Sequence, residues 1–122
     1  MSIRVKGITW LGIRTRKFSE MENFFGKLFN IPTVYQEPGF LAFDLPNGDR
    51  VELFAEDYVS HNHFTTGPVA GFEVEDVEVA RVEMERAGVE FIGPIEIGED
   101  SSWSHFRGPD GNVYELSSKK LK

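Results

Sequence analysis

The chain has 122 residues, of which 40% are hydrophobic and eleven are Phe, and it carries a formal net charge of −7. This is the size of one domain with its own core, and the acidic balance excludes the broad basic face with which nucleic-acid binders displace phosphate counterions. With no cysteine there is neither disulfide nor thiolate metal site. No apolar run reaches the length of a membrane span, and residues 1–6 lack the apolar stretch of a secretory signal. The expectation is a cytoplasmic protein without membrane or nucleic-acid partners, and Lys119, Lys120 and Lys122 read as a solvated tail.

In chain order, residues 8–15 are rich in β-branched and aromatic side chains and predict a strand. Ser19, with Glu22 three residues on, forms the pattern of a capping box. Met21, Phe24, Phe25 and Leu28 follow at the spacing of one helical face, and Pro32 ends the helix. Strands are predicted over 33–36, 40–44 and 50–55. A link of about 56–68 holds His61, His63 and Gly67. A strand over 69–74 comes next, then Asp76 as N-cap, the apolar stripe Val77, Ala80, Met84 and Ala87, and Gly88 as the stop. Strands over 90–97, 103–107 and 112–117 complete the chain.

Two segments repeat. Residues 43–53 and 106–116 both read F-x-x-P-[ND]-G-x-x-x-E-L, a constant 63 positions apart. Proline presets one turn φ and the glycine after Asn or Asp supplies a positive one, so each copy predicts strand, hairpin turn and a second strand bearing Glu52 or Glu115. The chain therefore reads βαβββ twice, an α+β protein. Neither half is large enough to bury its own sheet, so one domain is expected from module 1 (about 1–57) and module 2 (about 68–122).

Strand residues alternate between faces. One set is apolar and belongs under the helices: Leu11 and Ile13; Val51, Leu53 and Ala55; Phe106; Tyr114 and Leu116. The other mixes Trp10, Phe54 and Trp103 with Glu52, Glu115, Arg14, His105 and Arg107. Aromatic walls with a few polar groups describe a ligand cavity, and an interface face is the competing reading. On the cavity reading Trp10, Arg14, Phe54, Trp103, His105 and Arg107 bind ligand. The two arginines would grip a carboxylate or phosphate; alternatively they neutralise the glutamates. Glu52 and Glu115 are the candidate catalytic acid/base carboxylates, or else structural partners of Arg14, Arg50 or Arg107. His61-x-His63 reads as two solvated loop histidines rather than a metal-ligand pair.

The pattern resembles the vicinal oxygen chelate superfamily of glyoxalases, bleomycin-resistance proteins and extradiol dioxygenases. The resemblance rests on residues 10–29, on Gly71-Phe72-Glu73-Val74-Glu75-Asp76, on Ala87-Gly88-Val89-Glu90-Phe91 and, most specifically, on 106–116. It implies two βαβββ modules in a curved mixed sheet forming a cup, and a homodimer. It also implies metal-ligand positions on the first and last strand of each module, which here are Trp10, Glu52, Val69 and Glu115. Trp offers only an N–H donor and Val offers nothing, while a catalytic metal keeps three or more protein ligands. The expectation is a small-molecule binder with no metal cofactor. The alternative is a lyase, isomerase or dioxygenase holding a divalent ion (Zn, Ni, Fe or Mn) on Glu52, Glu115 and His105.

Overall fold

A computed structural model describes residues 3–65 and 67–120; Lys122 of the expected tail lies outside them. The chain divides into two compact units, residues 9–69 and residues 1–8 with 70–122. The strands are β1 (Gly7–Thr15), β2 (Thr33–Glu37), β3 (Phe40–Asp44) and β4 (Arg50–Ala55), then β5 (Val69–Glu73), β6 (Glu90–Ile97), β7 (Ser101–Arg107) and β8 (Val113–Lys119). Helix α1 (Phe18–Asn23) follows β1, and α2 (Val77–Arg86) follows β5. Each unit is therefore a βαβββ arrangement, and the α+β class expected from the repeat is what the chain adopts.

In the first unit the strand order is β2-β3-β4-β1, and β1 runs parallel to β4. In the second it is β5-β8-β7-β6, and β5 runs parallel to β8. The remaining pairings within each unit are antiparallel. The repeat is visible bond by bond at its turns. Leu45 N–H donates to Asp49 O and Gly48 N–H to Leu45 O; Gly108 N–H donates to Asn112 O and Gly111 N–H to Gly108 O. Gly48 (φ 91°) and Gly111 (φ 84°) take the left-handed position that closes such a hairpin.

The alternation sorts the faces as expected. Val51, Leu53, Leu41 and Phe43 form one core cluster with Phe25 and Ile31, against which Leu11, Ile13 and Met21 pack. Val74, Val77, Ala80 and Leu116 form the other, with Phe106 and Met84 against it. Asp76 is the N-cap of α2: its Oδ1 accepts from Glu78 N–H and Val79 N–H. Asp76→Ala should lower stability by about 1 kcal/mol, measured by urea unfolding, because two helix N–H groups lose their acceptor.

Three local expectations are corrected. Ser19 is not a cap, because α1 begins at Phe18 and its N-cap, Lys17, makes no side-chain bond; Lys17 N–H instead donates to Thr15 Oγ1. The helical face does not stay in phase. From Phe24 to Leu28 the chain forms a π-helical turn, with Phe29 N–H reaching back five residues to Phe24 O. The wider turn keeps Phe25 in the core and rotates Phe24 and Leu28 outward, so that Leu28 is 70% exposed. The stripe on α2 stops at Met84, and Ala87 is exposed.

Candidate functional site

The second unit holds a buried acid–imidazole pair. β7 and β8 flank the Pro109-Asp110-Gly111 turn, which sets His105 opposite Glu115 in register. His105 Nε2 lies 3.0 Å from Glu115 Oε1. His105 is 1% exposed and Glu115 5%. On its other side Glu115 faces Gly71 of β5, which contributes no side chain.

Geometry alone permits an ion pair here, but burial opposes it, because moving two charges out of water is costly. Burial holds the Glu115 carboxyl well above its ordinary value, and the Glu96 carboxylate adds to this. Burial also lowers His105 to about 4, with the charge of Glu96 opposing. Both shifts run toward the neutral forms, the protonated acid at Glu115 and the free imidazole at His105. Glu96 Oε2 lies 3.9 Å from His105 Nδ1. The 3.0 Å contact between Glu115 Oε1 and His105 Nε2 is a hydrogen bond between a carboxyl and an imidazole, a pair that can lend or take a proton.

The 63-residue offset shows what is particular to this unit. It maps Ala42 onto His105, and Ala42 is the residue opposite Glu52 on β3. Glu52 thus has a methyl where Glu115 has an imidazole, and a glycine, Gly12, on its other side. Its nearest cation among the ion pairs is Arg50, whose Nη1 is 3.8 Å away while its Nε binds Asp44 at 2.9 Å. Arg107 donates to Gly111 O at 2.8 Å and lies 3.9 Å from Glu90; the partner of Glu115 is thus the imidazole, not this arginine. The signal for the His105–Glu115 pair was in the sequence, since a turn centred on Asp110 makes 105 and 115 cross-strand partners.

Trp103 follows on the same face of β7, opposite Ser117 and Glu96. Its ring lies against Gly98: a Cβ there would sit 2.7 Å from Trp103 Cζ3. Trp10 does the same in the first unit, where a Cβ on Gly12 would sit 2.0 Å from its Cη2. Each indole occupies the space that a Cβ would take at a glycine. The Trp103 Nε1–H is buried without a protein acceptor among the described residues, and so is the Arg14 Nε–H. Buried donors of this kind are completed by water or a ligand oxygen.

The first unit gathers Trp10 and Phe54 into an aromatic cluster. Phe54 is 1% exposed and meets Phe40, Tyr58, His61 and Phe64; Trp10 meets Phe64 edge-on. The histidines of the link are not solvated loop residues. His61 stacks on Phe64 at 5.1 Å and 12°, and His63 meets the same ring edge-on at 5.0 Å. Arg14 points its terminal nitrogens at backbone carbonyls of the link, not at Glu52. Nothing in residue spacing marks this, because the path of a loop backbone leaves no periodic trace.

The residues present do not fit the superfamily's metal set. Of the four carried-over positions, Trp10 and Val69 have no ligating atom, which leaves only Glu52 and Glu115.

A duplicated βαβββ unit with a glutamate on each last strand defines a class of small α+β proteins built for sites on sheet faces. The chain belongs to the Glyoxalase/Bleomycin resistance protein/Dioxygenase superfamily, whose family model matches residues 7–116. Among solved structures it is similar to methylmalonyl-CoA epimerase from Mycobacterium tuberculosis (17% identity, TM-score 0.75, covering 99% of this chain and 93% of that one). It is also similar to a Mn(II)-bound glyoxalase from Novosphingobium aromaticivorans (18%, 0.76, covering 99% and 42%). A variant of homoprotocatechuate 2,3-dioxygenase from B. fuscum is a further match (12%, 0.73, covering 98% and 34%). At these identities the likeness establishes the fold. No curated protein matches the chain.

Proposed function

We propose that this chain is a metal-independent small-molecule binder of the bleomycin-resistance type, acting in the cytoplasm as a homodimer with both modules working as one domain. The observation that carries the reading is the pair of family ligand positions filled by Trp10 and Val69, which offer no ligating atom; the buried His105–Glu115 contact, with Glu115 pushed toward its protonated form, supports it. The ligand contacts are Trp103, His105 and Arg107 in the second unit, and Trp10, backed by Phe54, in the first. An indole face suits a planar or conjugated ligand. The open donor on Trp103 suits a ligand oxygen. Glu115 is the group that exchanges a proton with what is bound, and Glu52 is the second candidate carboxylate.

The competing reading is a lyase, isomerase or dioxygenase using a divalent ion on Glu52, Glu115 and His105. The Mn(II) carried by the similar glyoxalase favours it. It requires Glu115 to ionise inside the unit. Metal analysis of protein purified without chelator separates the two, together with thermal shift against Mn²⁺, Zn²⁺ and Ni²⁺ and against a panel of aromatic acids. Our reading predicts substoichiometric metal, no shift with the ions and a shift of several degrees with at least one acid, since a ligand that binds only the folded form stabilises it. One equivalent of bound metal, lost in Glu115→Gln, would overturn it.

A further inference from the structure

Arg14 stands on β1 opposite Phe54 in register. Its Nη1 donates to the carbonyls of Ala55, Glu56 and Tyr58 at 3.0, 2.9 and 2.9 Å, and its Nη2 donates to Ser60 O at 2.5 Å. Four carbonyls from six consecutive residues converge on one guanidinium. A chain without regular structure seldom presents so many carbonyls to one point, because their dipoles repel unless a cation holds them. The next residue, His61, has φ 56°, a left-handed conformation that a non-glycine adopts at a cost of about 1–3 kcal/mol and only where its surroundings fix it. Phe64 N–H then donates to His61 O at 3.0 Å. This turn brings the imidazole flat onto the Phe64 ring.

We propose that Arg14 is a positioning residue: by gathering the carbonyls of residues 55–60 it forces the left-handed turn at His61 and thereby holds the His61–Phe64 stack as a wall for a planar ligand. The ligand role of that wall rests on the binder reading above; the positioning does not. A gripping role would need the terminal nitrogens of Arg14 to be available to the ligand, and they are engaged on the carbonyls. A lysine could not reproduce the arrangement, because a single ammonium lacks the planar fork.

The test uses the full chain with Arg14→Met, Arg14→Lys and Arg14→Ala, the last with and without millimolar methylguanidinium. Two readouts are taken. One is the NMR position of the His61 ring Cε1–H, displaced by the ring current of Phe64. The other is the dissociation constant for 4-hydroxybenzoate as a planar acid probe. In all three variants the His61 signal should move toward that of free histidine and affinity should fall at least about tenfold, through loss of a preorganised wall. Methylguanidinium should restore both in Arg14→Ala. An unmoved His61 signal in any folded variant overturns the positioning role, and a moved signal with unchanged affinity overturns the wall's role in binding. If the signal moves and is rescued but the native chain never binds the probe, positioning stands and the planar-acid role of the wall fails. Should Arg14→Met not fold, Arg14→Lys, which keeps the charge and the stem, decides by the same readouts.

Discussion

The protein should lose stability as pH rises above about 6.5, and Glu115→Gln should abolish that loss. The sign follows from counting protons in each state. A folded Glu115 whose pKa lies well above 4.5 keeps a proton that the unfolded chain releases. His105, lowered from 6.5 to about 4, does the opposite: between those values the unfolded chain binds a proton that the folded chain excludes. Between about 4.5 and 6.5 the two contributions oppose each other, Glu115 lowering stability as pH rises and His105 raising it. From about 4.5 down to the folded pKa of His105 near 4, only His105 differs and stability falls as pH drops. Above 6.5 only Glu115 differs, and unfolding releases its proton. Stability therefore falls by up to about 1.4 kcal/mol per pH unit until the folded-state pKa of Glu115 is reached. Urea unfolding midpoints from pH 4 to 9 read this directly. A native profile that follows that of Glu115→Gln above pH 6.5 would contradict a protonated Glu115, and the Gln variant, with no proton to lose, should be level there.

The second large effect concerns the glycines beneath the indoles. Gly12→Ala and Gly98→Ala each place a methyl inside the space of a ring, with Trp10 Cη2 at 2.0 Å in one case and Trp103 Cζ3 at 2.7 Å in the other. No φ strain is involved, since neither glycine has positive φ; the methyl must push the indole off its strand. Each substitution should cost about 1–3 kcal/mol, as overpacking does, and should shift the tryptophan fluorescence maximum and the near-ultraviolet circular dichroism. Gly98→Ala should also weaken ligand binding more than Asp76→Ala does, because the cap holds a helix and touches no ligand group. If both alanine variants kept native spectra and stability, the rings would not be seated as described.

Much of the architecture was legible because the sequence states it twice. The 63-residue repeat placed both hairpin turns, and strict alternation along β4, β7 and β8 sorted Leu53, Phe106 and Leu116 to the core side. Asp76 and Gly88 carried their own stereochemical reasons for ending α2. The failures share a cause as well. The π-helical turn that rotates Leu28 outward is a slip in backbone hydrogen bonding, and a side-chain period cannot report it. The roles of Arg14 and His61 depend on where loop carbonyls point. For the candidate site, the face assignment put His105 and Glu115 on one side of the sheet, but the expected partners of Glu115 were arginines; that 105 and 115 stand opposite each other follows from the hairpin register. What the sequence could not supply was how deeply both are buried, and burial is what pushes each toward its neutral form.

Whether Glu115 holds a proton at pH 7 is best asked of the carboxyl itself. The infrared spectrum in D₂O should contain the carbonyl stretch of one un-ionised carboxylic acid at pH 7, absent from Glu115→Gln and retained when Mn²⁺ or Zn²⁺ is added in excess. A spectrum showing only ionised carboxylates between pH 5 and 8, or an acid band that one equivalent of metal removes, would contradict the account.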